Sequence, residues 1–564
     1  MLILGFWDGH DSGACIVEDG IVKVAINEER LTRRKLEIHF PSNSIKACLS
    51  YMNLKPSNID VIATTTSDFS KTLTRIFPSI KENYYLITRR NVEKPRFFSL
   101  KKKLKYAVTE RGNLRGLSNR ISSYLLRKRL KILGFEKQKL YIVDHHLAHA
   151  ASAIYTSGMK KCLCITLDGV GDGLSGSISV FDGNTIERLS SIPAKDSLGT
   201  FYEQITTHLG MRELEDEGKV MCMADYSYPI EDTKNPMINF FEVKGLKIIA
   251  KHDTLKRYSL IEKLAWKYPR EQLAYMAQRV LEKNCVMLFD NAIEETGLRN
   301  VCWAGGVASN IKTNMKIRQS LKIRDWFVFP NMSDGGLAVG AALYISSQIA
   351  GTKPYALDNV YLGQNYSDDE IKNQLKNAKL DYEYRKDIAE VAAELVLNNN
   401  FVLWFQGRME FGPRALGNRS IIAPSSSEEV KEKLNLIIKR REWYQPFCPT
   451  VLEEDAKNLF GNVDKYDKFM TMGYMTRRGM IEKLKAVISV DLSSRPQMLG
   501  DENGMFRKLL KTVKKGFGYG AVLNTSFNIH GYPIVNTPKE AIEVMKATKS
   551  RFLCLGNYFV ELKK

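Results

Sequence analysis

Apolar and polar positions alternate from the first residues of the chain. "LILGFW" is a continuous apolar run, "DGHDSG" interrupts it, and "ACIVEDGIVKVAIN" resumes with a period of two on either side of Asp19-Gly20. This predicts a strand, a turn and a β-hairpin, because Asp-Gly supplies the positive-φ residues that a tight hairpin turn needs. The same arrangement returns at 162–187, where "CLCITLDGVGDG" is followed by "SGSISVFDGNTIERL" with Asp182-Gly183 at the turn. Two copies predict two related halves. Between them the period lengthens to that of a helix, most plainly over 259–297. "NVCWAGGVASN" then predicts a strand, a glycine turn and a helix from about 311, and "FVFPNMSDGGLAVGAAL" repeats that scheme around an acidic turn. After Tyr344 the texture changes. "GTKPYALDNVYLGQNYSDD" has turn residues and no helical period, which places a boundary near 350–365 and predicts domains at 1–350 and 365–564.

A chain of 564 residues exceeds a single core, and 44% apolar with 26% charged residues is an ordinary globular balance. The pattern predicts an α/β protein of two or more domains. "GGLAVGAALYI" is too short and too rich in small residues to span a bilayer, and the opening "MLILGFWDGHDSG" reads as a strand rather than a signal peptide. The nine cysteines are odd in number and scattered, which suits reduced thiols and a cytoplasmic location. The net charge of +20 is uneven. Residues 81–140 hold 18 Lys or Arg against 4 Glu, densest in "SLKKKLKY" and "LLRKRLKI", within a basic insertion at about 71–140. Such a segment can attract nucleic acid or a phosphorylated substrate, or form a solvated lysine-rich helix; no nucleic-acid-binding signature accompanies it.

Histidine is scarce, with eight in the chain, yet His145, His146 and His149 crowd into "DHHLAHAASA". On a helix opening after Asp144, a good N-cap, His145 and His149 stand at i and i+4 and project from one face. His146 then points elsewhere, toward a ligand or the surface. Asp168 in "LDGVGDG" and Asp334 in "NMSDGG" sit in glycine-rich turns where a carboxylate can approach closely, although Asp in such turns also serves as a simple cap. Two imidazoles with one or two carboxylates suit a divalent metal, Fe(II) favoured over Mn or Zn where water ligands remain.

The blocks "GFWDGHDSGACIVEDG", "NEERLTRRKLEIHFP", "DHHLAHAASA", "LDGVGDG", "DEGKVMCMA", "WAGGVASN", "SDGG", "FGPRALGNRSI", "PFCPTVLEE" and "LNTSFNIHGYPIV" occur in the order of the NodU/CmcH family of O-carbamoyltransferases. The resemblance runs from about residue 3 to 560, broken mainly by the basic segment. It implies an N-terminal actin/hexokinase-like duplicated domain, similar to the metal-binding protein that transfers threonylcarbamoyl to tRNA, followed by a YrdC-like α/β domain. By resemblance the C-terminal domain makes carbamoyl-AMP from ATP and carbamoyl phosphate, with Mg as a further candidate ion. The N-terminal domain then passes the carbamoyl group to a hydroxyl-bearing small molecule or sugar. The resemblance places the metal ligands at His145, His149, Asp168 and Asp334. It places the catalytic group at His10, Asp11 and Lys219, with His10 as base for the acceptor hydroxyl, and cofactor contacts at Gly305, Gly306 and Asn310.

Chemistry agrees with this division. Carbamate is a poor electrophile and AMP a good leaving group, while transfer needs a polarised carbonyl and a base, for which an imidazole is apt. His10 read on its own fits equally a hydrogen-bonded core residue beside Asp11. The anionic donors need guanidinium forks, and Arg414, Arg419, Lys439, Arg441 and Arg495 supply cations for them, with Asn524 and Asn528 as carbonyl or phosphate donors. Gln445 and His530 stand where many relatives carry Arg, and "SVDLSSRPQ" replaces their "HVDGTxRxQ". The alternatives are a tRNA-modifying or nucleic-acid-binding protein of the same fold, or a degenerate nucleotide or carbamoyl-phosphate binding protein. A homodimer is the default assembly.

Overall fold

The structure, a computed structural model, describes residues 1–90 and 115–562. "SLKKKLKY", with Lys101–Lys103, lies outside the described residues. The chain divides into two compact units, one of Met1–Glu28 with Glu37–Leu357, the other of Glu29–Leu36 with Asp358–Lys564. Among the described residues no helix is long and apolar enough to cross a membrane.

The first unit contains two five-stranded sheets built to one plan. Strands β1 (Leu2–Trp7), β2 (Gly13–Glu18) and β3 (Ile21–Asn27) form an antiparallel meander, and β4 (Val61–Thr65) and β5 (Lys139–Val143) add in parallel beyond β1, giving the order β3-β2-β1-β4-β5. The second sheet repeats this. β6 (Cys162–Gly171), β7 (Leu174–Phe181) and β8 (Ile186–Pro193) are the meander. After a separate hairpin, β9 (Phe241–Lys244) with β10 (Lys247–Ala250), strands β11 (Asn300–Ala304) and β12 (Asp325–Val328) continue it in parallel, order β12-β11-β6-β7-β8. This is the duplicated actin/hexokinase-like architecture expected from the two acid-and-glycine hairpins. The first turn is of the mirror-image type, with Asp19 at φ 49° and Gly20 at φ 81°.

In each half a helix follows the last parallel strand, His145–Thr156 after β5 and Leu337–Ala350 after β12. Both are rich in Ala, the second also carries Gly340, and their backbones meet. A Cβ on Gly340 would lie 1.8 Å from the Ala148 carbonyl oxygen, and one on Gly5 would lie 2.3 Å from that of Ala338, so the second helix is pressed against both its counterpart and β1. This contact brings the histidine helix next to the turn that opens Leu337–Ala350.

The second unit is a mixed eight-stranded sheet. Its strands are β13 (Glu383–Tyr384), β14 (Val402–Phe405), β15 (Arg419–Pro424), β16 (Cys448–Leu452), β19 (Gln497–Leu499), β20 (Ala521–Ser526), β21 (Phe552–Leu555) and β22 (Tyr558–Glu561). They run in the order β13-β22-β21-β14-β15-β20-β16-β19, and β17 (Tyr474–Met475) and β18 (Ser493–Ser494) pair separately. Helices Ile388–Leu397 and Gly504–Phe517 cover the sheet through Ala392, Val396, Leu509 and Val513, all buried. The Glu29–Leu36 segment is anchored into this unit. The Arg30 guanidinium donates to the Gly412 carbonyl (2.7 Å), and that of Arg33 to the carbonyls of Ile534 (2.7 Å) and Pro533 (2.9 Å).

Candidate metal centre

Asp144 caps the histidine helix, its carboxylate accepting from the Leu147 N–H at 3.0 Å, so the i and i+4 imidazoles emerge together as the spacing predicts. Opposite them, β6 is irregular between Leu167 and Gly171, which turns Asp168 toward the helix, and Asp334 opens the short 3-10 turn before Leu337. The side chains of His145, His149, Asp168 and Asp334 converge, with one ligand atom from each within 4.8 Å of the others. His145 Nε2 stands 3.2 Å from Asp168 Oδ2 and 3.7 Å from Asp334 Oδ1; His149 Nε2 stands 3.7 and 3.6 Å from the same two oxygens. Ligands held about 2.1 Å from one ion lie roughly 3.0–3.4 Å apart, close to these separations.

The surroundings fit an ion. His149 Nε2 and Asp334 Oδ1 are buried with no hydrogen-bond partner, a costly arrangement unless a further group lies between them. Two nitrogens and two carboxylate oxygens are the donor set of Fe(II), Mn(II) or Zn(II). Burial alone would lower the His145 pKa, but Asp334 and Asp168 overcome it and raise it to about 9. Burial likewise opposes ionisation of Asp168, yet the two imidazoles hold its carboxyl well below the usual range. The His145 imidazole and the Asp168 carboxylate thus support each other's charge.

Neighbours fix each ligand. Thr66 Oγ1 meets His145 Nδ1 at 2.9 Å, Asp172 accepts from the His145 N–H at 2.9 Å, and a Cβ on Gly171 would strike the His145 ring at 2.2 Å. Asp168 Oδ1 accepts from the Gly306 N–H at 2.8 Å, leaving Oδ2 to the cluster. Gly306, expected at a cofactor, thus holds Asp168 of the candidate centre, and Gly305, at φ 94°, makes the turn that presents it. His146 points neither to a ligand nor to the surface. It is buried, with Nδ1 2.9 Å from Thr166 Oγ1, and burial together with His145 pushes its pKa down to about 3. Thr66, one of the run "TTTSD", and Thr166 carried no distinguishing sequence signal, whereas Asp172 is the second acid of the "LDGVGDG" turn and could have been found there.

His10 lies at the rim. Its side chain is 40% exposed and its Nδ1 is 3.4 Å from Asp334 Oδ2, so one carboxylate links His10 to the cluster. Asp11, at φ 57°, accepts from the Asn27 amide at 3.3 Å. Lys219 pairs with Asp216 at 3.0 Å, and Asn310 caps helix Ile311–Ser320 while bonding Gln278.

In the second unit the expected anion-binding residues separate into two kinds. Lys439 is buried and donates to Asn528 Oδ1 (2.8 Å), Ser526 Oγ (3.2 Å) and the Ser526 carbonyl, all neutral partners. Burial and the neighbouring Arg441 hold its pKa well below the ordinary value. Arg441 reaches Thr525 Oγ1 at 3.0 Å, so Lys439, Arg441 and Asn528 gather at the end of β20. Asn524 donates to Thr450 Oγ1 at 2.9 Å with its Oδ1 buried and unpartnered, and Arg495 donates to Cys448 Sγ at 3.0 Å. Arg419 is different. Fully buried, it lies 3.5 Å over the Phe405 ring and donates to the carbonyls of Gln406 (2.5 Å) and Gly407 (3.1 Å), a structural post for the loop. Arg414 is half-buried on the same loop.

The sequence carries matches to two families, "Carbamoyltransferase N-terminus" over residues 2–343 and "Carbamoyltransferase C-terminus" over 393–562. The chain is 32% identical to nodulation protein NolNO of Sinorhizobium fredii across 98% of this chain and 79% of that protein. It is also 32% identical to the uncharacterized protein MJ1051 of Methanocaldococcus jannaschii across the whole of both. The solved structure of full-length HypF in the phosphate- and nucleotide-bound form aligns with 63% of this chain and 56% of its own, at 14% identity and a TM-score of 0.34.

Proposed function

The chain belongs to the carbamoyltransferase family, and from that premise we propose that it is an O-carbamoyltransferase working in two stages, one in each unit. In the second, YrdC-like unit, carbamoyl phosphate, ATP and water give carbamoyl-AMP, phosphate and pyrophosphate. In the first unit an acceptor hydroxyl attacks the carbamoyl carbon, the C–O bond to AMP breaks, and a carbamate ester and AMP leave. The observation that carries this reading is the convergence of His145, His149, Asp168 and Asp334 with His10 on the outer oxygen of Asp334.

His145 and His149 from one helix, with Asp168 and Asp334 from opposite turns, would hold a divalent ion, iron favoured. When bound, such an ion polarises the carbamoyl carbonyl. His10 accepts the proton of the acceptor hydroxyl, and Asp334 Oδ2 steadies the imidazolium at Nδ1. Thr66 keeps the His145 ring turned toward the cluster, and Trp7, whose indole packs edge-on against that ring, shields one side from water. In the second unit Lys439 and Arg441 face the donor phosphates, and Asn524, whose Nδ2 is engaged by Thr450 and Ala415, offers its unpartnered Oδ1 to the carbamoyl amino group.

Incubation with ATP, labelled carbamoyl phosphate and a hydroxyl-rich metabolite extract tests the reading. The expected products are pyrophosphate, AMP and a labelled carbamate ester. Pyrophosphate release in the absence of carbamoyl phosphate, or absence of any labelled ester from every extract, would overturn it. Of the basic insertion, Lys71, Arg75 and Lys81 turn inward, whereas Arg127, Lys128 and Arg129 are exposed, so the nucleic-acid alternative rests on the latter.

A further inference from the structure

Beside the metal centre the first unit has a second cavity, of about 350 Å³, that neither stage of the proposed reaction uses. Its walls come from Asp8 at the end of β1, the 38–42 loop, helix Phe69–Ile76, the start of helix Pro78–Arg90 and helix Arg115–Ile132. Its lining combines apolar Phe40, Leu126 and Leu133 with the cations Lys71, Arg75, Lys81 and Arg129 and one carboxylate, Asp8, and Arg129 lies beside Phe40.

Asp8 is already committed. Arg75 grips it with two bonds, Nε to Oδ2 and a terminal nitrogen to Oδ1, each 2.9 Å, and Lys71 adds a third at 3.0 Å. Burial opposes its ionisation, but these cations keep its carboxyl well below the usual range. Among the described residues Lys81 donates to two carbonyls, those of Asp8 (2.5 Å) and Ile38. Arg129 projects from its helix, exposed, with its guanidinium 5.9 Å from the Phe40 ring centre. Cations enclosed in excess of their counter-charges are costly, and an incoming anion relieves that cost. Burial and the nearby Lys71 depress the Lys81 pKa strongly, as a missing counter-charge would.

The cavity is joined to the metal centre by shared residues. Lys71 Nζ sits 4.3 Å over the Trp7 ring, the same indole lies edge-on to His145 with ring centres 6.1 Å apart, and its Nε1 donates to the His10 carbonyl at 2.9 Å. We propose that this cavity is the acceptor's anchoring subsite, binding an oxyanion of the phosphate class through Lys81 and Arg129 while the apolar part of the lining takes the organic body that carries it. The inference rests on the carbamoyl-transfer reading for the identity of the ligand as acceptor; the anion site itself does not. The shared chemistry is a phosphate oxyanion, whose sources are a phosphate monoester on the acceptor or free phosphate.

Calorimetric titration of the full chain with phenyl phosphate, inorganic phosphate and phenol separates these, comparing the native chain with Lys81→Met and Arg129→Met. The expected result is that phenyl phosphate binds at least tenfold tighter than either other probe, and that each substitution weakens this binding about tenfold or more. Arg129 is exposed, so its variant keeps the test valid if Lys81→Met fails to fold. Equal affinity for phenyl phosphate and inorganic phosphate overturns the acceptor assignment in favour of free phosphate. Binding that both variants leave unchanged, or no binding to the native chain, overturns the site. Since the titration needs no turnover, its failure is distinct from failure to form a carbamate ester.

Discussion

The His145 ring is held at one nitrogen by Thr66 and its backbone by Asp172, leaving the other nitrogen for the ion. Outer hydrogen bonds of this kind commonly contribute about 10–100-fold to metal affinity. Thr66→Val should therefore lower affinity for Fe(II) or Mn(II) by roughly tenfold with little change in melting temperature. Equilibrium dialysis followed by elemental analysis checks this, and unchanged affinity would remove Thr66 from the site. His149→Ala should abolish carbamoyl transfer while pyrophosphate release persists, measured on the same preparation; equal loss of both by a folded variant would deny the division of labour. That His145 and His149 would emerge together was legible, because two scarce histidines stand at i and i+4 after an Asp cap. The groups that hold them were not, since a threonine at 66 or 166 looks the same whether or not a ring leans on it. Arg419 shows the converse. A cation close to glycines reads as a phosphate ligand, and only the fold reveals the Phe405 ring beneath it and the carbonyls that take its terminal nitrogens while Nε stays unpartnered among the described residues.

At the level of elements, the site depends on two helices approaching until their backbones touch. Gly340→Ala places a methyl where the Ala148 carbonyl stands, so the helices must part. Overpacking of this kind costs about 1–3 kcal/mol, and here it should also reduce metal affinity because Asp334 opens one helix and His149 rides the other. Thermal unfolding with and without added ion reads both effects; a variant as stable as the native chain would show that the contact is soft. Helix Glu217–Met223 carries a different liability. Burial raises the Glu217 pKa to about 8, from the usual 4.5, so the folded state binds this proton more tightly than the unfolded chain. Its contribution is complete below pH 4.5 and is lost as pH rises toward 8. Glu217→Gln should flatten the decline of melting temperature across that window, and identical profiles for the two proteins would exclude Glu217 as its source. Element type followed from hydrophobic period and Asp-Gly turns, whereas helix proximity hangs on Gly340, one small residue among many in "GGLAVGAAL".

For the whole molecule, the basic insertion is the clearest case of sequence reading only part of the truth. Its charge was countable, but the inward turn of Lys71, Arg75 and Lys81 depends on Asp8, which lies more than sixty residues earlier in the chain. The duplicated sheets were legible because each half spells out its own hairpin; the path of the chain between the units was not. Residues 29–36 lie inside the first half of the sequence yet belong to the second unit, with Arg33 reaching a carbonyl 501 positions further on. A fragment of residues 358–564 should accordingly unfold at lower denaturant concentration than the same fragment supplied with a 29–36 peptide, and no effect of the peptide on its midpoint would show the segment to be an ornament.

That eight-residue excursion also bears on how the chain comes into being. Arg30 leaves the ribosome 382 residues ahead of the Gly412 carbonyl it bonds, and Arg33 501 residues ahead of that of Ile534. Residues 358–564 therefore cannot complete the second unit by themselves, and the nascent chain must hold residues 29–36 in reserve while the intervening chain is made.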